Sequence, residues 1–504
     1  MKRDLAFLLA IPLLVLWAYA PGIRAPRAYD DAWILERNPR LRDPGLLLRF
    51  ALDPSSVPPD RYATYRPLGE ASFALLRKAG GGVEAQRLLN VGIHVAGAVC
   101  VFLVVRRLSS ASLARWAALL FALHPMAAQA VTYVYQRFVV LEALLAFACI
   151  LAYLKGRTWP ALALGVLAAG CKETAATLPL ALGLLEWVRR DPEEPLGRVL
   201  GRWAPYLVLP AFLFVQASRT SASPAWDAPL RHGRMEYLGG QLPMWPHYAR
   251  LALWPFPMGF YYDRFAPGPG AGMFAAGLAV SAAAAWVLLG PRRHALLRLG
   301  LGLWMAPLAL ECSVFPIPHL GWNFRCYPGL LGTALIFGWG VLRLGRPGRV
   351  LGAAALLLMG VLARQENRLW ASPGALLRRD VRHAFHDPLV RKCLGCSELD
   401  AGRPASAERA FVQAFRSPWR CAPMETGYVS ALLSLGKYDE AHARLGAALK
   451  VFPDDPDLLW VAVREAERVG EKGRIERLAL QASRLPDPGP ELSAWLARRR
   501  AGAR

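Results

Sequence analysis

The residues best suited to chemistry are two adjacent aspartates, Asp30 and Asp31. They follow the first apolar run, Leu5–Ala20, and open a loop that extends to about residue 82. A carboxylate pair at a membrane surface can act as a general base or bind a divalent metal such as Mg²⁺ or Mn²⁺. Asp is also a favoured N-cap, so the pair has a purely structural interpretation as the start of a helix near Ala32.

Further ionisable side chains lie within or at the ends of later apolar runs, namely Arg66, His94, His124, Arg137, Lys172, Glu173 and Arg325. Taken singly, each has a structural explanation, such as an arginine reaching lipid phosphates or a buried ion pair. Taken together, we expect them to share one membrane face with the aspartates. Cations that bind a phosphate beside carboxylates that move a proton favour a lipid-phosphate-linked substrate.

The composition indicates a polytopic membrane protein. The chain has 504 residues, of which 55% are hydrophobic and only 19% charged. Its formal net charge of +23 is typical of a membrane protein whose basic cytoplasmic loops contact anionic lipid headgroups. No nucleic-acid-binding motif accompanies the charge, so we expect membrane lipid and no nucleic acid among its partners.

Eleven apolar runs predict about 11 membrane spans. They are Leu5–Ala20, Val91–Val105, Leu113–Leu123, Val139–Leu154, Ala161–Ala169, Thr174–Val188, Trp203–Gln216, Met273–Leu289, Leu296–Leu310, Cys326–Val341 and Val350–Leu362. The stretch Leu238–Leu253 is aromatic and interrupted by proline, which favours an interfacial helix over a span. The first run could be a cleaved signal peptide, but an uncleaved anchor fits better with the many spans that follow.

Basic clusters orient these spans. They are Lys2-Arg3, Arg106-Arg107, Lys155-Gly-Arg157, Arg189-Arg190, Arg292-Arg293 and Arg343/Arg346/Arg349. All of them lie on the cytoplasmic side if the spans alternate from a cytoplasmic N-terminus. An odd number of spans then places the Asp30 loop and the C-terminal region together on the outer side.

The C-terminal region repeats with a fixed period. Gly402, Gly436 and Gly470 are 34 residues apart, as are Ala414, Ala448 and Ala482. A 34-residue period with small residues at helix crossings is typical of tetratricopeptide repeats, whereas the simpler alternative is a generic helical tail. We therefore predict a domain over residues 1–365 and about three repeats over residues 380–490 that dock a peptide or protein.

Three cysteines accompany the first repeat. Cys421 could form a disulfide with Cys393 or Cys396 in an oxidising compartment. A bond between Cys393 and Cys396 would be strained inside a helix, and three cysteines make a weak zinc site.

Several short motifs, taken in order, resemble those of a known family. They are Tyr29-Asp30-Asp31, Thr64-Tyr65-Arg66-Pro67-Leu68, Leu89-Asn90-Val91-Gly92-Ile93-His94, Leu120-Phe121-Ala122-Leu123-His124-Pro125, Arg137, Lys172-Glu173 and Arg325-Cys326-Tyr327-Pro328. The chain is similar to the transmembrane and tetratricopeptide-repeat-containing O-mannosyltransferases and their bacterial relatives, which are GT-C glycosyltransferases. It departs from their pattern at Met126 and Gln129, and its repeat array is short.

The resemblance implies an all-α GT-C fold and transfer of a sugar from a polyprenyl-phosphate donor to a hydroxyl of a protein or glycan. It implies that Asp30 or Asp31 is the catalytic base, that Arg66, Arg137, Lys172 and Arg325 neutralise the donor phosphate, and that Tyr29, Tyr65, His94, His124 and Glu173 support them. Whether a metal binds the aspartates stays open. The expected location is the outer face of a bacterial inner membrane.

Two other classes of function compete with an enzyme. A non-catalytic membrane anchor could use its repeats to assemble envelope proteins, and a lipid-sugar flippase or ligase partner could share the charged outer face. A scaffold gives no reason for acidic and basic residues on one face. A transporter typically has inverted repeats or charges at mid-span, and the sequence has neither clearly.

Overall fold

The computed structural model describes residues 2–31, 33–57, 64–220, 234–259, 261–262, 271–290, 294–313, 320–383, 388–417, 420–485 and 488–502. The chain divides into two compact units, with the boundary between Pro373 and Gly374. The described part is helical, which confirms the all-α prediction, and its only strands are two-residue segments. These strands, β1 (Tyr261–Tyr262) and β2 (Gly321–Trp322), pair in antiparallel register.

The first unit contains seventeen α-helices within its described residues. They are α1 (Lys2–Ile23), α2 (Pro44–Leu52), α3 (Pro67–Lys78), α4 (Val83–Leu108), α5 (Ala111–Leu123), α6 (Ala127–Thr132), α7 (Arg137–Leu154), α8 (Thr158–Ala169), α9 (Leu178–Arg189), α10 (Leu196–Trp203), α11 (Val208–Arg219), α12 (Arg234–Gln241), α13 (Met244–Leu253), α14 (Ala271–Leu289), α15 (Ala295–Glu311), α16 (Leu330–Arg343) and α17 (Gly345–Trp370). Short 3-10 turns include Val134–Gln136, Glu173–Thr177 and Asn323–Cys326.

Five helical segments of the described chain are long and apolar enough to cross a membrane, so the protein is a multi-pass membrane protein. They are Asp4–Ile23, Val83–Leu108, Val134–Leu154, Leu196–Arg219 and Gly345–Trp370. The other apolar runs of the sequence also fall on helices, most of them shorter. The stretch expected at the interface forms two short helices, α12 and α13, of 8 and 10 residues.

Close helix contacts position the loops of the candidate site. Helices α15 and α16 cross where Gly332 lies against the backbone of Gly300 and Trp304. A side chain at Gly332 would collide with that backbone, so the glycine permits the close approach. Because Glu311 ends α15 and Arg325 lies shortly before α16, this crossing brings their two loops together.

Charged side chains at the opposite end of the bundle agree with alternating spans. Asp4 at the start of α1 binds Arg106 near the end of α4, at 3.0 Å, and Arg115 at the start of α5, at 2.7 Å. Helix α4 runs for about 39 Å at 1.5 Å per residue, so Arg106 lies a membrane thickness away from residues at its start.

Within its described residues, the second unit contains three helix pairs, with one further helix before them and one after them. Its helices are α18 (Pro373–His383), α19 (Pro388–Asp400), α20 (Pro404–Ala414), α21 (Ala422–Ser434), α22 (Tyr438–Val451), α23 (Pro456–Val469), α24 (Lys472–Ser483) and α25 (Gly489–Gly502). Gly402, Gly436 and Gly470 follow the first helix of each pair at φ angles of 69°, 73° and 80°. Glycine adopts this left-handed conformation without a steric cost, which allows the sharp turn into the next helix.

The 34-residue spacing reflects packing inside these pairs. Ala414, Ala448 and Ala482 are buried near the end of each second helix. Phe411 fills the space against Gly395 and Gly427, where a side chain would collide with its ring. The structure contains no disulfide among the eight cysteines, which all lie in its described part, so the crosslink of Cys421 stays a prediction.

Candidate functional site

Asp30 is the accessible member of the aspartate pair. Its side chain is half-buried, and its Oδ2 atom accepts a hydrogen bond of 2.9 Å from the hydroxyl of Tyr133. The same hydroxyl accepts a hydrogen bond of 3.0 Å from the backbone N–H of Asp30. One tyrosine thus holds both the backbone and the carboxylate of a residue 103 positions away.

Asp31 is completely enclosed. Its two carboxylate oxygens accept hydrogen bonds from the backbone N–H groups of Tyr135, at 2.9 Å, and Ala28, at 3.1 Å, and Arg87 lies 3.6 Å away. Burial raises the pKa of Asp31 to about 7, although the charge of Arg87 and the two backbone donors oppose the rise. An acceptor hydroxyl cannot reach a side chain with no exposed surface, so Asp31 holds the loop in place.

The backbone is strained directly before the pair. Tyr29 has a φ angle of 51°, the only positive φ of a non-glycine residue in the described part of the chain. Such a conformation costs roughly 1–3 kcal/mol and persists where neighbouring contacts enforce it. Here the contacts are with the rings of Tyr133, at 5.8 Å between centroids, and Trp370, at 6.5 Å.

The cations Arg66, Lys172 and Arg325 form a cationic group, in which Arg66 pairs with the more accessible Glu173. The guanidinium, on the residue before α3, donates two hydrogen bonds to the Glu173 carboxylate at 2.7 and 3.0 Å. Burial alone would raise the pKa of Glu173, but the charges of Arg66 and Lys172 lower it to about 2. The carboxylate is therefore ionised across the physiological pH range, and 42% of its side-chain surface is accessible.

A second, enclosed group lies beside this pair. Glu311 binds Lys172 on one side and Arg325 on the other, where its Oε2 atom is 2.7 Å from the guanidinium Nε. No more than 5% of any of these three side chains is exposed. Two cations share one carboxylate, so this triad keeps one net positive charge that the low-dielectric interior does not screen.

Tyr135 and Phe138 connect the aspartates to the cations. Tyr135 holds Asp31 through its backbone N–H, and its ring meets that of Phe138 at 5.2 Å. The Arg66 guanidinium in turn lies 5.2 Å from the centre of the Phe138 ring. Contacts therefore lead from the aspartate loop through two aromatic rings to Arg66.

Arg137 is enclosed by protein groups and is not accessible to a ligand. It is fully buried, and its guanidinium donates hydrogen bonds to the side chain of Asn90 at 2.8 Å, to the backbone of Gln86 at 2.6 Å and to Ser72 at 3.3 Å. Its charge also lies 4.2 Å from the centre of the Phe73 ring. These neutral partners occupy the guanidinium, so Arg137 joins α4 to the start of α7.

Three of the residues expected to support the site, His94, His124 and Tyr65, contact neighbouring parts of the protein. His94 contacts the hydroxyl of Tyr327 at 2.8 Å and the carbonyl of Ala122 at 3.2 Å, and both partners are buried. His124 accepts from the N–H of Met126 at 3.3 Å, and its other ring nitrogen lies 3.2 Å from the carbonyl of Ala252. Tyr65 donates to the carbonyl of Ala51 at 2.6 Å. All three side chains hold helices or loops together.

The surroundings of the aspartates limit how they could bind a metal. Both oxygens of Asp31 are occupied by backbone donors beside a cation, and Oδ2 of Asp30 accepts from Tyr133. Across the described residues, no three His, Cys, Asp or Glu side chains come together as metal ligands. Of the pair, Asp30 is thus the carboxylate that is not enclosed by protein donors, and Mg²⁺ and Mn²⁺ take oxygen ligands of this kind.

Sequence reasoning missed three residues that organise the site, Tyr133, Arg87 and Glu311. Arg87 fits a periodic signal, because Arg87, Asn90 and His94 lie three and four positions apart on one face of α4. Glu311 is a carboxylate that ends an apolar run, which is costly without a partner. Nothing local distinguishes Tyr133 from the other tyrosines of the chain.

Comparison with protein families, with curated proteins and with solved structures finds no match to this chain.

Proposed function

We propose that this protein is a GT-C-type membrane glycosyltransferase that moves a sugar from a polyprenyl-phosphate donor to a hydroxyl acceptor. The proposal rests on the ordered motifs that resemble the O-mannosyltransferases with tetratricopeptide repeats. One structural observation carries it further. An accessible carboxylate, Asp30, is held by Tyr133, whose ring stacks on that of Tyr135. Tyr135 in turn contacts Phe138, and the Arg66 guanidinium lies 5.2 Å from the centre of the Phe138 ring.

In this proposal Asp30 is the general base that activates the acceptor hydroxyl. The carboxylate takes the proton of the acceptor hydroxyl while the oxygen attacks the anomeric carbon of the donor sugar. The bond from that carbon to the phosphate oxygen breaks, and its electron pair leaves with the polyprenyl phosphate. Attack from the face opposite the phosphate inverts the anomeric configuration, and Asp31 keeps the loop in place.

The donor phosphate falls to the cationic group. Arg66 is the most accessible of the three cations, with 11% of its side chain exposed, and its planar guanidinium suits two phosphate oxygens as it suits Glu173. Lys172 and Arg325 lie behind it as a buried positive charge shared with Glu311. Charge fixed in advance at the leaving phosphate can contribute several kcal/mol of transition-state stabilisation.

The acceptor and the location follow from the resemblance and the charge pattern. We place the site on the outer face of a bacterial inner membrane and the repeats on the same, periplasmic side. The helix pairs between Pro388 and Ser483 offer a docking surface for a protein acceptor.

A transfer assay tests the proposal. Protein in lipid nanodiscs is given synthetic polyprenyl-phosphate mannose and a Ser/Thr-rich peptide, and release of polyprenyl phosphate is measured. We expect Asp30→Asn to lower turnover about 100-fold or more, because a general base contributes that much. Asp31→Asn should lower thermal stability instead, and its folded fraction should keep most of its turnover.

Two outcomes contradict the proposal. Wild-type protein that consumes none of a panel of polyprenyl-phosphate hexoses is not such an enzyme, and the scaffold hypothesis then stands. Full turnover in Asp30→Asn means that the base lies elsewhere.

A further inference from the structure

Tyr133 has the geometry of a residue that aims the Asp30 carboxylate, and this inference rests on the proposed function. A hydroxyl has one hydrogen to donate and lone pairs to accept with. Because the Tyr133 oxygen accepts from the Asp30 N–H, its own hydrogen is available for Oδ2, 2.9 Å away. The two bonds close a small ring that restricts the χ angles of Asp30.

The ring of Tyr133 is itself held by two other rings. It stacks on Trp370 at 5.7 Å with an angle of 24° between planes, and on Tyr135 at 5.9 Å with an angle of 29°. Only 2% of Tyr133 is exposed. The hydroxyl therefore stays where it is before substrate binds, which is how a preorganised group avoids reorganisation during the reaction.

Helix α17 supplies Trp370, one of the two rings that hold Tyr133. Trp370 ends α17, and Asn367, one turn earlier, donates to the carbonyls of Ala18 at 3.2 Å and Ala363 at 2.8 Å and also contacts Thr132. Asn367 thereby joins α17 to α1 and to the residue directly before Tyr133. Helices far apart in the chain thus converge on one phenol.

Tyr133 and Arg87, which contact Asp30 and Asp31 respectively, differ in charge. Arg87 places a positive charge beside Asp31, whereas Tyr133 donates a hydrogen bond without a charge. A neutral donor orients a carboxylate and leaves it able to take a proton. We propose that Tyr133 is the positioning residue of the reaction and that it sets the direction from which Asp30 meets the acceptor hydroxyl.

The test is a double-mutant cycle in the transfer assay with polyprenyl-phosphate mannose. Tyr133→Phe keeps the stacked ring and removes only the hydroxyl. We expect kcat to fall about tenfold while the KM for the donor stays within about twofold. In the Asp30→Asn background the same substitution should change the residual rate by less than about twofold, because the interaction is already lost. Tyr206→Phe, whose buried hydroxyl bonds Thr158, is the control and should change nothing.

A second measurement does not depend on turnover. A water-soluble carbodiimide with an amine labels accessible carboxyl groups, and mass spectrometry gives the rate at Asp30. The rate should rise several-fold in Tyr133→Phe and stay unchanged in Tyr206→Phe.

The outcomes separate this inference from the proposed function. Equal losses from Tyr133→Phe in both backgrounds, or an unchanged labelling rate, would overturn the positioning role while Asp30 remains the base. Full activity of Asp30→Asn would overturn the assignment of the base itself.

Discussion

At the scale of single residues, neighbours in the sequence have different environments. Asp30 and Asp31 are adjacent, yet a phenol holds one at a half-exposed position and an arginine encloses the other. The arginines divide likewise, since Arg66 binds a carboxylate that solvent reaches and Arg137 binds neutral, buried acceptors. Burial and partner decide what each side chain can do.

The two arginines give a matched prediction. Arg66→Lys replaces a bidentate fork with a point charge, so we expect the donor KM to rise about tenfold with little change in thermal midpoint. Arg137→Lys leaves buried acceptors unpaired and should cost about 1–3 kcal/mol of stability, with an unchanged donor KM in the folded fraction. Nanodisc kinetics and thermal unfolding measure the two effects. A raised donor KM in Arg137→Lys at normal stability would indicate that Arg137 binds the donor phosphate after all.

At the scale of elements, helix ends carry the candidate site. Lys172 and Glu173 start a 3-10 turn, Arg66 precedes α3, Glu311 ends α15 and Arg325 lies in the turn before α16. Loops at helix ends can present polar groups without placing them in hydrocarbon.

The repeat glycines give a prediction at this scale. Gly436 has a φ of 73° between α21 and α22, so Gly436→Ala should cost about 1–2 kcal/mol of local stability. Gly446 lies within α22 with open space around it, and Gly446→Ala should stabilise that helix by about 1 kcal/mol. Hydrogen exchange of the α21 and α22 amides in the full-length protein should become faster in the first variant and slower in the second. Slower exchange in both would mean that the turn does not require glycine.

At the scale of the whole molecule, charge separates the two ends of the membrane bundle. Asp4, Arg106 and Arg115 meet at one end, and the start of α4 carries Arg87 to the aspartate loop at the other. The five long apolar helices agree with a chain that crosses the membrane repeatedly. From the basic clusters of the sequence we predict that the aspartate end is the outer one.

Membrane sidedness is testable directly. A reporter that functions only outside the cytoplasm, fused after Arg504, should be active, and a cysteine introduced at Arg24 should react with an impermeant reagent applied from outside. The matched position is Arg107, near the end of α4 and at the opposite end of the bundle, where a cysteine should react only after permeabilisation. An inactive C-terminal reporter would contradict the odd number of spans and place the repeats away from the aspartates.

The sequence alone determined the class of protein, the helical character of the apolar runs and the period of the repeats. These follow from short-range rules, because hydrocarbon demands internally satisfied backbone groups and each helix pair repeats the same turn glycine. It also identified Asp30, Arg66 and Lys172 as residue types suited to chemistry, and their shared membrane face stays a prediction.

Only the tertiary structure decided which of these residues is accessible and what each one binds. Tyr133 meets Asp30 across 103 positions, and Glu311 meets Lys172 across 139. Such contacts depend on how helices cross, as at Gly332 against α15, and no local pattern encodes a crossing. The division between a half-exposed Asp30 and an enclosed Asp31 arises there, because packing of α4 and of the segment before α7 covers one carboxylate and leaves its neighbour open.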